Sequence, residues 1–346
     1  MGWSLRAALL HLVLLTSPSL NLRLRALFMP ADRLVVALSR LVSLSVTELF
    51  MTLCVPLAAS GIDRRFARHL MLLFSLVLVL VNATKNALRL PRPRAAEGAS
   101  LSREEAGFGF PSLHSAASLA IPLFARSPSS YAPLAAALSH GAARWLALAW
   151  PWLVGFARLH LGVHSLPDVI GGWACGYAIA ALYEAAVSEG YADALLTATW
   201  LPLLVVPVAL LLAIAHPRPR VHTEAGLKKD KSVSESAIVL GCSAGTAIAI
   251  WCDAHRPHLA CPPLAAVTQL EGGKGVAAKL LLALLLTGGS KVLFQAIARA
   301  VVNGVHKLMG SPETDGVVQD CCIRVFCYTG LGYVVLGLVP QLTGTQ

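Results

Sequence analysis

The 346-residue sequence predicts an all-α protein, a polytopic bundle of about eight to ten transmembrane helices with a catalytic site at one membrane face. Two observations predict the helices. Only 13% of the residues are charged, against about 25% in an ordinary soluble chain, and the 56% that are apolar gather in long runs. A third observation predicts the site, because ionisable residues cluster at the ends of a few of these runs. The composition excludes a soluble globular protein, a disordered chain and a coiled coil.

The apolar runs give the expected order of the spans, since a spanning helix needs about 20 apolar residues. They lie at 42–60, 69–88, 112–126, 141–158, 168–187, 194–215, 236–251, 276–302 and 324–340. Longer polar connections are expected at 89–111, 216–235, 252–275 and 303–323. We therefore predict that residues 42–346 form one integral-membrane domain.

Residues 1–41 form a separate apolar and basic segment. Residues 4–20 are apolar after Arg6, and several arginines follow them before the first clear span. The pattern fits a cleaved signal sequence, a short first span, or an amphipathic helix on the membrane surface. We expect the segment to remain on or in the membrane as an anchor or surface helix.

The net charge of +10, from 28 Lys and Arg against 18 Asp and Glu, would suggest nucleic acid as a partner of a soluble chain. Here several basic residues lie at the ends of spans, where they can contact lipid headgroups or an anionic substrate. The chain has no basic run interleaved with aromatic residues. We therefore expect membrane lipids as partners and no nucleic acid.

One polar loop has the residue types of a metal site, because Cys252, His255, His258 and Cys261 follow one another at three-residue steps. Structural zinc sites usually combine close ligands with distant ones, and Pro257 would strain a site this tight. We interpret the segment as a loop between spans, and we expect neither a metal nor a cofactor.

Three clusters of ionisable residues carry the functional signal, since such groups are costly at a membrane. The first, 85–93, closes the 69–88 span. The second, 111–114, opens the next span, and the third, 157–168, links the 141–158 span to the one after it. If successive spans cross the membrane in alternation, all three clusters reach the same face.

The residue types suit a phosphate. Lys85, Arg92 and Arg158 are cations, and arginine offers paired donors to phosphate oxygens. Ser112 adds a hydroxyl at the start of a helix, where backbone N–H groups and the helix dipole favour an anion. These groups predict a cradle for a phosphoryl group and for the charge that develops in its transition state.

Two histidines and a carboxylate complete the set. His164 and Asp168 are four residues apart, which allows Asp168 to accept the Nδ1 hydrogen and leaves Nε2 to attack phosphorus. His114 can then protonate the leaving oxygen as a general acid. Taken alone, Asp168 could instead cap the following helix.

Asn82-Ala83-Thr84 matches a glycosylation acceptor. It lies at the end of a span, where we do not expect the transferase to reach it.

In this order the clusters resemble the motifs of the type-2 phosphatidate phosphatase superfamily, Lys-x6-Arg-Pro, Pro-Ser-Gly-His and Ser-Arg-x5-His-x3-Asp. The resemblance implies a metal-independent phosphoric monoester hydrolase that forms a phosphohistidine on His164. Two positions depart from the pattern, Leu113 in place of Gly and Ala157 in place of Ser. We expect these changes to reduce hydrogen bonding to phosphate without abolishing catalysis.

Further patches are similar to sphingosine-1-phosphate phosphatases, among them 48–50, 161–165, 216–219 and 324–340. This similarity implies an endoplasmic-reticulum enzyme that dephosphorylates sphingosine-1-phosphate and its dihydro and phyto analogues. Two alternatives stay open: a phosphatase of phosphatidate, lysophosphatidate or a polyprenyl diphosphate, and a non-catalytic membrane protein that binds lipid phosphate. The positive-inside rule favours a cytosolic site, whereas the resemblance favours a lumenal one. The sequence predicts no oligomeric state.

Overall fold

The computed structural model describes Arg23 and residues 32–92, 107–218, 221–223, 226–228, 231–257, 272–309 and 316–344. Apart from Arg23, the first 31 residues lie outside the described part. The expectation of a membrane anchor in the N-terminal segment therefore stays a prediction.

Three helices open the described chain, α1 (Asp32–Leu44), α2 (Glu48–Gly61) and α3 (Arg64–Leu88). The side chain of Asp63 caps α3 by accepting a hydrogen bond from the N–H of Phe66. At its other end, Arg89 adopts a left-handed conformation with φ of 54°. This residue stops the helix and turns the chain across the end of the bundle.

The middle of the chain forms α4 (Leu113–Ala125), α5 (Ala132–Ala137), α6 (Gly141–His160), α7 (Leu166–Ser188), α8 (Tyr191–Leu196) and α9 (Leu201–Ala215). A short antiparallel hairpin, β1 (Val221–Thr223) with β2 (Gly226–Lys228), follows within the predicted polar connection. The chain ends with α10 (Lys231–His255), α11 (Gly272–Met309), α12 (Gly316–Tyr333), a π-helical turn (Val334–Leu338) and α13 (Val339–Thr343).

Five helices of the described residues are long and apolar enough to cross a membrane: Arg64–Leu88, Leu166–Ser188, Lys231–His255, Ala277–Val305 and Gly316–Thr343. Two shorter apolar helices, Leu113–Ala125 and Leu201–Ala215, accompany them. Leucines such as Leu203 and Leu211 are 76% and 65% exposed on the outer surface, as expected for side chains that face lipid. The prediction of an all-α, polytopic integral-membrane protein is confirmed, and every predicted span contains helix.

Helix α3 is the central helix, and its apolar face packs with α4 and α10. Glycines let two helix pairs approach closely. A Cβ on Gly176 of α7 would lie 2.3 Å from the carbonyl oxygen of Ala116 in α4, and a Cβ on Gly245 of α10 would lie 2.1 Å from that of Thr329 in α12. Small residues allow such contact between membrane helices, where van der Waals packing drives association.

Candidate active site

The three clusters meet at one end of the bundle through backbone hydrogen bonds. Gly109 donates to the carbonyl of Leu90 at 2.9 Å, which joins the segments that follow α3 and precede α4. Ser112 donates to the carbonyl of Asp168, also at 2.9 Å, which joins the starts of α4 and α7. The convergence expected from alternating spans is therefore present in the structure.

His164 lies in the loop between α6 and α7 and is 1% exposed. Its Nδ1 is 3.4 Å from Oδ2 of Asp168, and its Nε2 is 3.3 Å from Nη1 of Arg92. Since a guanidinium can only donate, Nε2 is the acceptor in this contact, and the ring proton then lies on Nδ1, facing the carboxylate. The ring thus presents an unprotonated Nε2.

The electrostatic surroundings favour the same neutral ring. Burial lowers the pKa of His164 well below its usual range, and the positive charges of Arg92 and Arg158 lower it further. Lys85 and His114 act in the same direction. A neutral imidazole is the form that has a nucleophilic lone pair.

Asp168 is fully buried and also caps α7. Its Oδ2 accepts a hydrogen bond from the N–H of Ser165 at 2.8 Å, while its own N–H donates to Oγ of Ser165 at 3.3 Å. Ser165 is thus the N-cap residue, and Asp168 is the acidic residue of a capping box. The carboxylate faces Gly109, where a Cβ would lie only 2.9 Å from Oδ2.

The predicted cations stand at the ends of helices around His164. Lys85 and Arg158, in the last turns of α3 and α6, are 8% and 3% exposed. Arg92 is half-buried on the segment after α3, where its Nη1 also donates to the carbonyl of Val163 at 2.9 Å. Pro93, the last residue of the first cluster, lies outside the described residues.

The second cluster forms the start of α4. Ser112 is fully buried and is the N-cap residue, whose Oγ accepts from the N–H of Ser115 at 3.4 Å and from its Oγ at 3.1 Å. His114 is half-buried in the first turn. The two departures from the family motifs also lie here: Leu113 is half-buried and Ala157 is buried.

The structure also describes His160 and part of the cysteine–histidine loop. The buried His160, which the sequence does not place in the mechanism, stacks on Phe156 with ring centroids 5.6 Å apart. In the cysteine–histidine loop, His258 and Cys261 lie outside the described residues. Among the residues that the structure does describe, no three or more His, Cys, Asp or Glu side chains gather as a metal site would require.

Sequence reasoning does not assign a role to two asparagines, Asn82 and Asn86, which lie beside Lys85 in α3 and are 1% and 0% exposed. Asn86 Nδ2 donates to Oγ of Ser232 at 2.7 Å and to the carbonyl of Pro217 at 3.0 Å. Two amides four residues apart in an apolar span are the available signal, because that spacing places both on one face of the helix.

Comparison with known proteins identifies one family model and several similar sequences. Residues 67–190 match the PAP2 superfamily. The chain is 26% identical to sphingosine-1-phosphate phosphatase 1 of Rattus norvegicus over 309 residues, which cover 85% of this chain and 68% of the relative. It is 28% identical to the Mus musculus protein of the same name, over 63% of this chain and 50% of the relative. It is 25% identical to sphingosine-1-phosphate phosphatase 2 of Homo sapiens, over 59% and 49%. No solved structure matches the chain.

The match to the PAP2 superfamily covers the part of the chain from α3 to the residue before α8. The predicted resemblance is confirmed, and with it the prediction of a phosphatase, a phosphoric monoester hydrolase. The chain spans about half the length of the mouse and human relatives.

Proposed function

We propose that the protein removes the phosphate from sphingoid-base 1-phosphates through a covalent phosphohistidine on His164. The observation that carries the mechanism is the pair of contacts on the His164 ring, with Asp168 at Nδ1 and Arg92 at Nε2. The observation that supports the substrate is that the relatives are named as sphingosine-1-phosphate phosphatases.

In the first step, the Arg92 N–H that contacts Nε2 of His164 turns to a phosphoryl oxygen. The freed lone pair of Nε2 attacks phosphorus, and the bond from phosphorus to the lipid oxygen breaks. His114 gives its proton to that oxygen, so the lipid leaves as an alcohol. The ring becomes positively charged, and the Asp168 carboxylate stabilises this charge through the Nδ1 hydrogen. Asp168 is already oriented for this by its bond from Ser165.

The phosphoryl oxygens are bound by Lys85, Arg92 and Arg158, together with the hydroxyl of Ser112 and the N–H groups at the start of α4. In the second step, water attacks the phosphohistidine and gives a proton to His114. The N–P bond breaks, inorganic phosphate leaves, and His164 returns to its neutral form.

The position of the site suits a lipid phosphate. The phosphate-binding groups lie at helix ends, so the headgroup would sit at the membrane surface and the chain among the helices. We propose the endoplasmic reticulum as the membrane, because the patches at 161–165 and 216–219 resemble enzymes of that compartment.

The test uses the full chain, purified in detergent and supplied with sphingosine-1-phosphate, phosphatidate, lysophosphatidate and a polyprenyl diphosphate. We expect the highest kcat/KM for the sphingoid-base phosphate. A higher kcat/KM for another lipid would contradict the proposed substrate and indicate the specificity of a different branch of the superfamily. Binding without phosphate release would instead favour the non-catalytic alternative.

The roles of the histidines are separated by two variants. His164→Ala should abolish both turnover and any phosphoenzyme labelled from the lipid phosphate. His114→Ala should lose about 10²–10⁴-fold on the lipid but much less on an activated aryl phosphate, whose leaving group needs no proton. Exposed His140, at the other end of α6, provides the control His140→Ala. Equal losses on both substrates for His114→Ala, or a phosphoenzyme in His164→Ala, would refute these roles.

A further inference from the structure

The helices that follow the matched domain contact the catalytic end of α3. Asn86 is bonded to Pro217 and Ser232, as described above, and both partners lie beyond residue 190. The next turn of α10 continues this contact, since Oγ of Ser236 lies 3.0 Å from Nε2 of His216. His216 and Ser236 are themselves 4% and 0% exposed.

A second chain of contacts leads from α10 to a phosphate-binding candidate. Nδ2 of Asn82 donates to the carbonyl of Ser232, and Nζ of Lys85 donates to Oδ1 of Asn82, each at 3.5 Å. Because a backbone carbonyl can only accept, the contact with Ser232 fixes which side of the Asn82 amide carries the oxygen. That oxygen then faces the ammonium group of Lys85.

We propose that Asn82 is a positioning residue for Lys85, and that the backbone of Ser232 in α10 holds Asn82 in place for this role. The inference rests on the proposed function insofar as Lys85 binds the substrate phosphate. It adds that the phosphate site is completed by a helix outside the PAP2 domain.

The physical reason lies in the flexibility of lysine. Its four-carbon stem can place the ammonium group in many positions, and a fixed acceptor beside a buried lysine selects among them. Asn82 is one turn before Lys85 on the same helix, so its side chain is close enough to act on the ammonium group.

The experiment measures phosphate binding without requiring turnover. Inorganic phosphate should raise the thermal unfolding temperature of the detergent-purified protein, and its dependence on concentration gives a Kd. We expect Asn82→Ala to weaken phosphate binding about 10-fold, the typical loss of one charge-assisted contact. KM for the lipid should rise correspondingly, with a smaller change in kcat.

A double-mutant cycle separates positioning from a general packing role. In a Lys85→Met background, Asn82→Ala should change the phosphate Kd less than about 2-fold, because there is no ammonium group left to position. The same 10-fold loss in both backgrounds would overturn the proposal, as would an unchanged Kd in the single variant.

Asn82→Ser gives a second route if the alanine variant does not fold. Ser75 and Thr84 of the same helix bond to the carbonyls four residues earlier, at 2.8 Å each, so a serine at position 82 can be satisfied in the same way. It cannot reach Lys85, and we expect the same loss of phosphate affinity.

Ser75→Ala is the matched control. Ser75 also bonds α3 to α10, through the carbonyl of Val239 at 3.2 Å, but it lies ten residues from Lys85, about 15 Å along the helix. The phosphate Kd of Ser75→Ala should stay within about 2-fold of the wild type, and a loss equal to that of Asn82→Ala would overturn the proposal.

The wild-type result separates this inference from the proposed function. If the wild type binds phosphate but does not hydrolyse the lipid, the proposed function is refuted, and the double-mutant cycle alone decides this inference. No binding of phosphate by the wild type would overturn both.

Discussion

Gly172→Ala tests whether the spacing of α4 and α7 sets the geometry of the active site. A Cβ at position 172 would lie 2.4 Å from the carbonyl oxygen of Ser112 and 2.9 Å from Cβ of Ser115. Carbon–oxygen contacts of this kind ordinarily lie at about 3.3–3.6 Å. The new methyl group must therefore push the two helices about 1 Å apart at the first turn of α4.

That displacement falls on the hydrogen bond between Ser112 and Asp168, which joins two segments of the proposed site. A shift of about 1 Å in a catalytic group can lower the rate about 100-fold. The extra methyl group should also cost about 1–3 kcal/mol of stability, the usual range for overpacking. We therefore expect kcat/KM to fall by about two orders of magnitude in protein that is still folded.

The assay compares phosphate release per folded molecule, with the folded fraction taken from a thermal unfolding curve in detergent. Gly288→Ala in α11 is the control, since no atom beyond its chain neighbours and the local helix backbone lies within 4 Å of the position that a Cβ would take there, and alanine is the better helix former. Activity of the control should equal that of the wild type. A folded Gly172→Ala that keeps more than about half of the wild-type kcat/KM would refute the idea that this helix contact sets the site geometry.

The metal requirement, the pH dependence and the stability of the protein can each be tested by one further change. Phosphate release should persist in excess chelator, because the proposed cations already supply the positive charge; loss of turnover that magnesium or zinc restores would contradict this. In the pH profile of kcat/KM, the acid limb that reports protonation of His164 should lie below the usual histidine pKa of about 6.5. Arg158 is one of the cations that lower the pKa of His164. Arg158→Gln should therefore move this acid limb to higher pH, measured with the same substrate. Asp253 Oδ2 lies 2.7 Å from Nη2 of the buried Arg68, and removing the partner of a buried charge costs about 3 kcal/mol of stability. Asp253→Ala should therefore lower the unfolding temperature and leave kcat/KM per folded molecule unchanged.

The sequence predicts the helices and the meeting of the clusters because both depend on local patterns. An apolar run of sufficient length defines a span, and alternation of spans then determines which helix ends share a face. This reasoning assigns Lys85, Ser112 and Asp168 to one site, and they lie together at one end of the bundle in the structure.

Contacts between distant segments could not be predicted in the same way. The left-handed Arg89 directs the following chain so that Arg92 reaches His164, and nothing in an apolar pattern encodes this turn. The bonds from Asn82 and Asn86 to Ser232 depend on how α10 packs 146 or more residues away along the chain. Such pairings follow from tertiary packing, which a single sequence does not reveal.

The pairing of His164 with Asp168 also arises differently from the way the spacing suggests. Four residues within a helix would place the two side chains one turn apart, but His164 lies before the N-cap residue Ser165, outside α7. The carboxylate turns back to bond the N–H of Ser165, and this capping contact brings Oδ2 within 3.4 Å of the ring. The interaction that starts the helix therefore also orients the proposed nucleophile. The same Asp168 carboxylate can cap α7 and face Nδ1 of His164, so the two interpretations of this residue do not exclude each other.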